Sequence, residues 1–295
     1  MIEKMTPSRV IFNIFNALFM VLLCIVCIAP LWHVVMASVS NPRALMASSG
    51  LLFFPAGEFT LGGYELVFRN QSIYTGYLNT FIYVGSMTVF SAIFTTIAGF
   101  VLSRKTKLQK PLTLIVLFTM MFSGGLIPSY MVNLKLGLIN NRLAIIIPGL
   151  LNAYYIIIMK SSFEQLPVSF EESARLDGAG PLRTLVSILV PLVKATIAVV
   201  VMFVLVQQWN SWFQASIYLP KRRDLWPLQL YLREMLVQND VSRVMSGNDA
   251  TRAADSMANL VKYGTTVVAT LPILCAYPFA QKYFVTGVTL GGVKE

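Results

Sequence analysis

Four polar side chains in an apolar stretch near residue 210 could bind an uncharged, hydroxyl-rich solute. Gln207, Ser211 and Gln214 recur at helical spacing, and Asn210 lies beside them. Amides hydrogen-bond hydroxyl groups, and Trp209 offers an aromatic face, without placing a charge in an apolar environment. Two alternative roles stay open, because tryptophans often anchor chains at a membrane interface and polar residues often join neighbouring helices. Further candidates of the same kind are Asn79, Asn152 and Tyr155.

The sequence lacks the residue sets that most transport or hydrolytic chemistry needs. It has no GxxxxGK[ST] loop to cradle a nucleotide phosphate. His33 is its single histidine, and no apolar stretch carries a pair of carboxylates or an HExxH arrangement. Ion-coupled carriers commonly use an intramembrane acidic or histidine relay, which is also missing. We therefore predict no catalytic residue, no metal site and no cofactor in this chain, and transport powered by its own ion coupling is disfavoured.

The composition identifies the solvent of this chain as lipid. Only 12% of its 295 residues are charged and 56% are hydrophobic, whereas soluble proteins carry about 25% charged residues. The net charge of +10 would suggest nucleic acid as the partner of a soluble chain. In a membrane protein, basic loops that face anionic lipid explain it better. The prediction is an all-α integral membrane protein that contacts lipid and no nucleic acid.

Long uncharged stretches predict six transmembrane helices in a single membrane domain over residues 1–295. Each is about as long as a membrane span requires, and the first contains an N-terminal transmembrane helix at residues 10–36. Prolines inside them are tolerated, because neighbouring helices can satisfy the freed backbone groups. The six stretches are residues 10–42, 77–103, 112–134, 143–159, 195–220 and 263–281.

Basic residues in the short loops predict the orientation. The tightest cluster, Arg104, Lys105, Lys107 and Lys110, follows the second span. Because short cytoplasmic loops are enriched in lysine and arginine, both termini are expected in the cytoplasm. Residues 221–258 then form an extracellular loop, and residues 283–295 form a cytoplasmic tail.

The loop between spans four and five, residues 161–183, has a strong local signature. Ser169 and Glu172 form a capping-box pattern that predicts a helix beginning at Phe170, and Gly178 is placed to end it in the left-handed conformation. Pro181 can begin a second helix. The result would be a compact element suited to docking a partner, although an ordinary solvated helical hairpin remains an alternative.

The same loop resembles a known family. The run Glu172-Ser173-Ala174 followed by Gly178 resembles the "EAA" cytoplasmic loop of bacterial ABC importer permeases, and Ile188 and Pro191 agree with that motif. The run Arg175-Leu176-Asp177-Gly178-Ala179 resembles the sugar-importer version. Ser173 departs from the usual alanine but is small enough to keep the same contact.

Two further stretches extend the resemblance over nearly the whole chain. The segment Trp209-Asn210-Ser211-Trp212-Phe213 is like the family's Trp-Asn segment, and residues 281–295 are similar to its tail. Together these features resemble the second permease of maltose-type importers, especially the branch that imports oligosaccharides such as alginate or xylan fragments.

The resemblance implies a type I ABC importer permease fold with cytoplasmic coupling helices and a core permease module over residues 77–282. This chain would not be an enzyme, because ATP and Mg would bind a separate ATPase. Implied partners are a second homologous permease, two ATPase subunits, an extracellular or periplasmic sugar-binding protein and an oligosaccharide, at the bacterial cytoplasmic membrane. The residues implied in ATPase docking and coupling are Glu171, Glu172, Ser173, Ala174, Asp177, Gly178 and Ala179.

The segment after span five is a candidate contact for the binding protein. Lys221, Arg222 and Arg223 could steer an acidic partner or sugar, although a solvated loop explains them equally. Two functional alternatives remain at this point: a self-contained carrier or channel for a small polar solute, and an ABC importer permease for a solute other than a sugar.

Overall fold

The computed structural model describes residues 7–235, 257–275 and 278, and every regular element in those ranges is helical. This confirms the predicted all-α class. In chain order the helices are α1 Pro7–Ser38, α2 Pro42–Ala47, α3 Gly62–Arg69, α4 Gln71–Ser103, α5 Gln109–Met121, α6 Leu126–Lys135, α7 Leu143–Gly149, α8 Ala153–Glu164, α9 Ser169–Leu176, α10 Pro181–Leu192, α11 Lys194–Trp209, α12 Phe213–Tyr218, α13 228–235 and α14 Met257–Cys275.

The long helices form where the sequence offers unbroken apolar residues. In α1 only Ala37 and Ser38 are buried, so almost its whole surface faces outward, as expected of a helix in lipid. Four segments of the described chain are each long and apolar enough to cross a membrane on their own. They are α1, α4, the α7–α8 segment and α14. The α7–α8 segment contains Pro148 and a short break before α8.

Two predicted spans are broken rather than continuous. The span predicted at 112–134 consists of α5 and α6, which are bent by 113° around Gly125, a residue with a φ of +86°. The span predicted at 195–220 ends early, because α11 stops at Trp209 and α12 is separate. It also begins earlier, since α10 precedes α11 at a bend of 83° beside Pro191, which cannot donate a helical hydrogen bond.

Hydrogen bonds between distant segments show that each bent pair leads from one end of the surrounding helices to the other. At the end of the molecule that carries α9, which we call the α9 end, Gln109 Nε2 donates to Glu164 Oε1 at 3.2 Å. At the opposite end, Arg142 Nη2 donates to Asn79 Oδ1 at 2.7 Å, and the Asn140 amide donates to the Tyr218 carbonyl at 2.7 Å.

The order of these contacts along the chain fixes the crossings. The chain passes from the opposite end through α4 to the α9 end, and it is back at the opposite end by residue 140, so α5 and α6 together make a crossing. It returns through α7 and α8, and α10 with α11 leads to Tyr218 at the opposite end again. With α1 and α14, the described residues hold four helical segments that could each span a membrane, or six if each bent pair is one span, and six is the number that the sequence predicted.

The chain forms two compact units. One takes in the described parts of residues 1–71 and 234–270, and the other those of residues 72–233 and 271–295. In the first unit Leu260 packs with Ala37 and Leu45. The core of the second unit includes Tyr83 of α4, Met159 of α8 and Leu189 of α10. The predicted tail at 283–295 and most of the predicted loop at 221–258 lie outside the described residues.

Candidate functional site

The α9 hairpin is a short helix with a well-defined end. The Ala179 amide donates to the Ala174 carbonyl at 2.9 Å and the Gly178 amide donates to the Arg175 carbonyl at 3.0 Å. Gly178 has a φ of +75°, the left-handed conformation that the sequence predicted, and the two hydrogen bonds form a Schellman motif. Pro181 begins α10, also as predicted.

The predicted capping box does not form at the start of α9. Ser169 is the first helical residue rather than the cap, and Val168 occupies the cap position without a side-chain hydrogen bond. The helix therefore begins one residue earlier than the Ser169–Glu172 pattern indicated. Glu171 and Glu172 still lie in its first turn, where negative charge is favoured by the helix dipole.

The two faces of α9 differ in what they contact. Glu171 and Ala174 are buried within the chain, so they cannot provide the outer surface for a partner. The exposed members of the predicted docking set are Glu172, Ser173, Asp177 and Gly178, and Ala179 is half-buried. Leu176 is 89% exposed and completes this surface, although we did not single it out from the sequence; its position beside Asp177 in the motif was the available signal.

The buried face of α9 carries an ion pair. Glu171 pairs with Arg104, the residue that follows α4. The Arg104 guanidinium also lies over the ring of Phe100, 4.6 Å from its centroid. Burial and, to a smaller extent, the positive charge of Arg175 lower the pKa of Arg104. Arg104 nevertheless stays protonated, because an arginine side chain does not lose its proton in proteins.

An amide-lined cavity lies where two spans are interrupted. Its volume is about 370 Å³, within the range of small-molecule sites. The interruption between α7 and α8 supplies Asn152, and the interruption between α11 and α12 supplies Ser211. Such irregular backbone inside a membrane is tolerated where it lines a cavity. The lining residues are Met87, Pro148, Gly149, Leu151, Asn152, Tyr155, Val204, Gln207, Gln208, Ser211 and Gln214.

Five of the eight predicted pathway residues meet in this cavity, namely Asn152, Tyr155, Gln207, Ser211 and Gln214. The Tyr155 hydroxyl donates to Gln207 Oε1 at 3.1 Å, which orients that amide. The Asn152 side-chain oxygen accepts from the Tyr154 amide at 2.9 Å and caps α8, so its NH₂ group remains for a ligand. Gln208, which is buried, also lines the cavity, and the adjacent glutamines were the signal for it.

The other three predicted pathway residues do not line the cavity. Asn79 is 1% exposed and holds the backbone of the segment after α12, because its Nδ2 donates to the carbonyls of Asp224 at 2.7 Å and Trp226 at 3.0 Å. Trp209 packs edge-on against Phe81 at 5.6 Å. Asn210 is exposed and donates to the Val206 carbonyl of its own helix at 2.8 Å.

The three basic residues after α12 are exposed, but they differ in their partners. Arg222 forms a bidentate pair with Asp224 at 2.9 and 2.8 Å. The guanidinium of Arg223 lies 4.9 Å from the centroid of the Trp226 ring. The Lys221 amide donates to Asn140 Oδ1 at 3.0 Å. The hydrogen bonds and charge of Arg222 lower the pKa of Asp224, which therefore stays ionised beside it.

Known proteins resemble this chain over nearly its whole length. A family model described as "Binding-protein-dependent transport system inner membrane component" matches residues 72–288. The permease YtcP of the polygalacturonan/rhamnogalacturonan transport system of Bacillus subtilis (strain 168) is 33% identical over 282 residues, covering 94% of this chain and 96% of YtcP. Protein LplC of the same organism is 34% identical over 290 residues, covering 98% of this chain and 97% of LplC.

A solved structure agrees with the fold. A chain in the crystal structure of a bacterial ABC transporter involved in the import of the acidic polysaccharide alginate is 29% identical, with a TM-score of 0.84. The match covers 96% of this chain and 99% of that chain. These findings confirm the family that the loop motif indicated. The chain belongs to the family of inner membrane components of binding-protein-dependent transport systems.

Proposed function

We propose that this chain is a permease subunit of an ATP-driven importer of oligosaccharides, in which it forms half of the pathway beside a second homologous permease. Two ATPase subunits would bind ATP and Mg, and a separate binding protein would deliver the sugar. The names of its relatives, which mention polygalacturonan, rhamnogalacturonan and alginate, support a sugar over another solute. Family membership also weighs against a self-contained carrier.

The amide-lined cavity is the observation that carries the sugar assignment. Amides, hydroxyls and a tyrosine ring suit the hydroxyl groups and apolar faces of a pyranose. None of its lining residues is charged, so the cavity itself places no charged side chain within the membrane. A carboxylate on an acidic sugar would then meet N–H donors from Asn152 and the glutamines rather than a cation.

Uptake by the complex reconstituted in liposomes tests the cavity assignment. Gln207→Leu and Gln214→Leu each remove an amide from the lining, and the Asn210→Leu variant is a matched control outside it. We expect uptake of labelled oligogalacturonide at limiting concentration to fall about tenfold in the cavity variants, the cost of a lost hydrogen bond, and to change little in the control. Equal uptake by all three variants, with equal ATPase content, would refute the assignment.

The exposed face of α9 is proposed as the ATPase-docking surface. Glu172 offers a charge, and Leu176 offers an exposed apolar side chain that would gain free energy when a partner buries it. We expect Glu172→Lys and Leu176→Asp to lower ATPase co-purification at least about tenfold, whereas Lys105→Gln, an exposed control at the same end, retains it. Normal co-purification with both α9 variants would disprove this docking surface.

Lys221, Arg222 and Arg223 are proposed to contact the binding protein. With Asp224 they leave a net charge of +2, three basic residues less one acidic residue, at the opposite end from α9. Replacing the three basic residues with serine is expected to weaken the stimulation of ATP hydrolysis by the binding protein at low salt, where steering is strongest. Unchanged stimulation at low salt would argue for a loop with no such contact.

A further inference from the structure

We infer that Arg104 and Glu171 form the joint through which movement of α9 reaches the transmembrane helices, which makes Arg104 a positioning residue for transport. Arg104 directly follows α4, the longest helix of its unit, and it pairs with Glu171 on the buried face of α9. The inference rests on the proposed docking role of the exposed face of α9.

The position of Arg104 is fixed by the spans and not by α9. Its guanidinium lies 4.6 Å from the centroid of Phe100, one turn earlier on α4. Phe100 in turn packs edge-on against Phe163 of α8 at 5.9 Å, and Phe163 is 1% exposed. A cation held over a ring that is itself packed between two spans is a stable attachment point.

Glu171 and Glu172 are neighbours in sequence but lie on different faces of α9. Glu171 faces the chain and Glu172 faces outward, so a partner that pulls on Glu172 displaces the residue joined to Arg104. The helix is short and its end is closed by the Gly178 turn, so it moves as one piece. Ala174, which is 2% exposed, is small enough for α9 to lie close to the spans beside the pair.

Arg104 has spare donors that allow the pair to persist while α9 moves. Its Nη1 engages Glu171, whereas its Nε and Nη2 are buried and find no hydrogen-bond partner among the described residues. A guanidinium can pair with a carboxylate through one or two N–H groups. Rotation of α9 can therefore bring the second oxygen of Glu171 onto these donors without breaking the joint. Lysine lacks this planar fork and cannot make the same exchange.

The negative charge of Glu164 also influences Arg104, but the hydrogen bonds of Glu164 are made to other residues. It accepts from Lys160 at 2.7 Å, one turn earlier on α8, and from Gln109 at 3.2 Å. The bond from Gln109 ties the end of α8 to the start of α5. Glu171 is therefore the carboxylate that links Arg104 to the docking helix.

The test is the amount of sugar transported per ATP hydrolysed by the whole complex in liposomes. In Arg104→Gln and in Glu171→Gln, we expect ATPase co-purification and ATP hydrolysis to stay within about twofold of wild type. Transport per ATP should fall about tenfold or more, a usual size for coupling between sites. The double variant Arg104→Glu with Glu171→Arg should recover part of it. Lys105→Gln, at the exposed neighbour of Arg104, is the matched control and should transport normally.

Other outcomes distinguish a failure of the proposed Arg104–Glu171 joint from a failure of the proposed docking surface. Unchanged transport per ATP in Arg104→Gln overturns the joint, and so does loss of the ATPase from that variant together with transport. A complex that keeps its ATPase in Glu172→Lys contradicts the docking proposal instead. If the glutamine variants do not accumulate in the membrane, Arg104→Lys keeps the charge over Phe100, and it should assemble fully yet transport less sugar per ATP. Wild-type coupling in that variant would also overturn the joint.

Discussion

Asn79 is a single residue that holds together three parts of the opposite end. Besides donating to two carbonyls of the segment after α12, it accepts a hydrogen bond from Arg142 at 2.7 Å. Tyr83, one turn later on α4, donates to the Leu225 carbonyl at 2.8 Å. Side chains of α4 therefore hold the segment that carries the basic residues through its backbone carbonyls, which leaves the basic side chains exposed for a partner.

Asn79→Ala should destabilise the protein by about 2 to 5 kcal/mol, because it removes the hydrogen bond of Asn79 to each of two carbonyls and one of the hydrogen bonds of the Arg142 guanidinium. Asn210→Ala is the matched control, since Asn210 is exposed and bonds only within its own helix, and its change should stay within about 0.5 kcal/mol. Unfolding of the purified protein in mild detergent, followed by tryptophan fluorescence, measures both. Equal stability of the two variants would show that the Asn79 bonds add nothing.

Position 178 requires glycine because of its backbone conformation and not because neighbouring atoms leave no space. Its φ is +75° and nothing lies within 4 Å of an added Cβ, and Gly180 has equal space with a φ of −72°. Gly178→Ala should cost about 1 kcal/mol in the left-handed conformation, which raises local opening of the end of α9 about fivefold. Gly180→Ala should change it little. Hydrogen exchange of the α9 amides tests this, and equal exchange in both variants would contradict it.

At the scale of elements, α4 and α8 approach so closely that one glycine determines their separation. A Cβ on Gly99 would lie 2.6 Å from Met159 Cγ, 2.7 Å from Met159 Cβ and 3.0 Å from the Lys160 amide nitrogen. The same two helices carry Arg104 and Glu164 at their ends. The close contact at Gly99 therefore helps to place Arg104, the residue that pairs with Glu171 of α9.

Gly99→Ala and Gly85→Ala should have opposite effects although both lie on α4. The first must push α8 away and should destabilise the protein by about 1 to 3 kcal/mol. The second meets nothing within 4 Å and should be neutral or stabilising by up to about 1 kcal/mol, since alanine is the better helix former. Unfolding of the purified protein in detergent measures both. A Gly99→Ala protein as stable as Gly85→Ala would mean that the helices separate at no cost.

The sequence predicted those elements whose position is determined by a property of the local residues. Uncharged length was enough to find the spans, and Gly178 with Pro181 was enough to find the α9 turn. Ser169 failed as a cap because its pattern also fits a first helical residue. The burial of Asn79 and the Arg104–Glu171 pair depend on contacts between residues far apart in sequence. Spacing along one helix cannot reveal such contacts, so the sequence grouped Asn79 with the true cavity residues.

At the scale of the whole molecule, the contacts determine which segments share an end, but not which end faces the cytoplasm. Three candidate spans separate Lys105 from Lys221: the α5–α6 pair, the α7–α8 segment and the α10–α11 pair. Six spans therefore predict that the two lysines lie on opposite sides of the membrane. The tight basic cluster around Lys105 predicts that this residue is the cytoplasmic one.

Labelling with a membrane-impermeant maleimide tests both the number of crossings and their direction. Lys105→Cys and Lys221→Cys are made separately in a chain whose Cys24, Cys27 and Cys275 are replaced by serine, and both positions are exposed. Intact cells should label position 221 only, and inverted vesicles position 105 only. Labelling of both positions from the same side would overturn the crossing of one bent pair. The reversed pattern would keep six spans and place α9 outside, where no cytoplasmic ATPase could dock, so it would also disprove the proposed route of energy transfer.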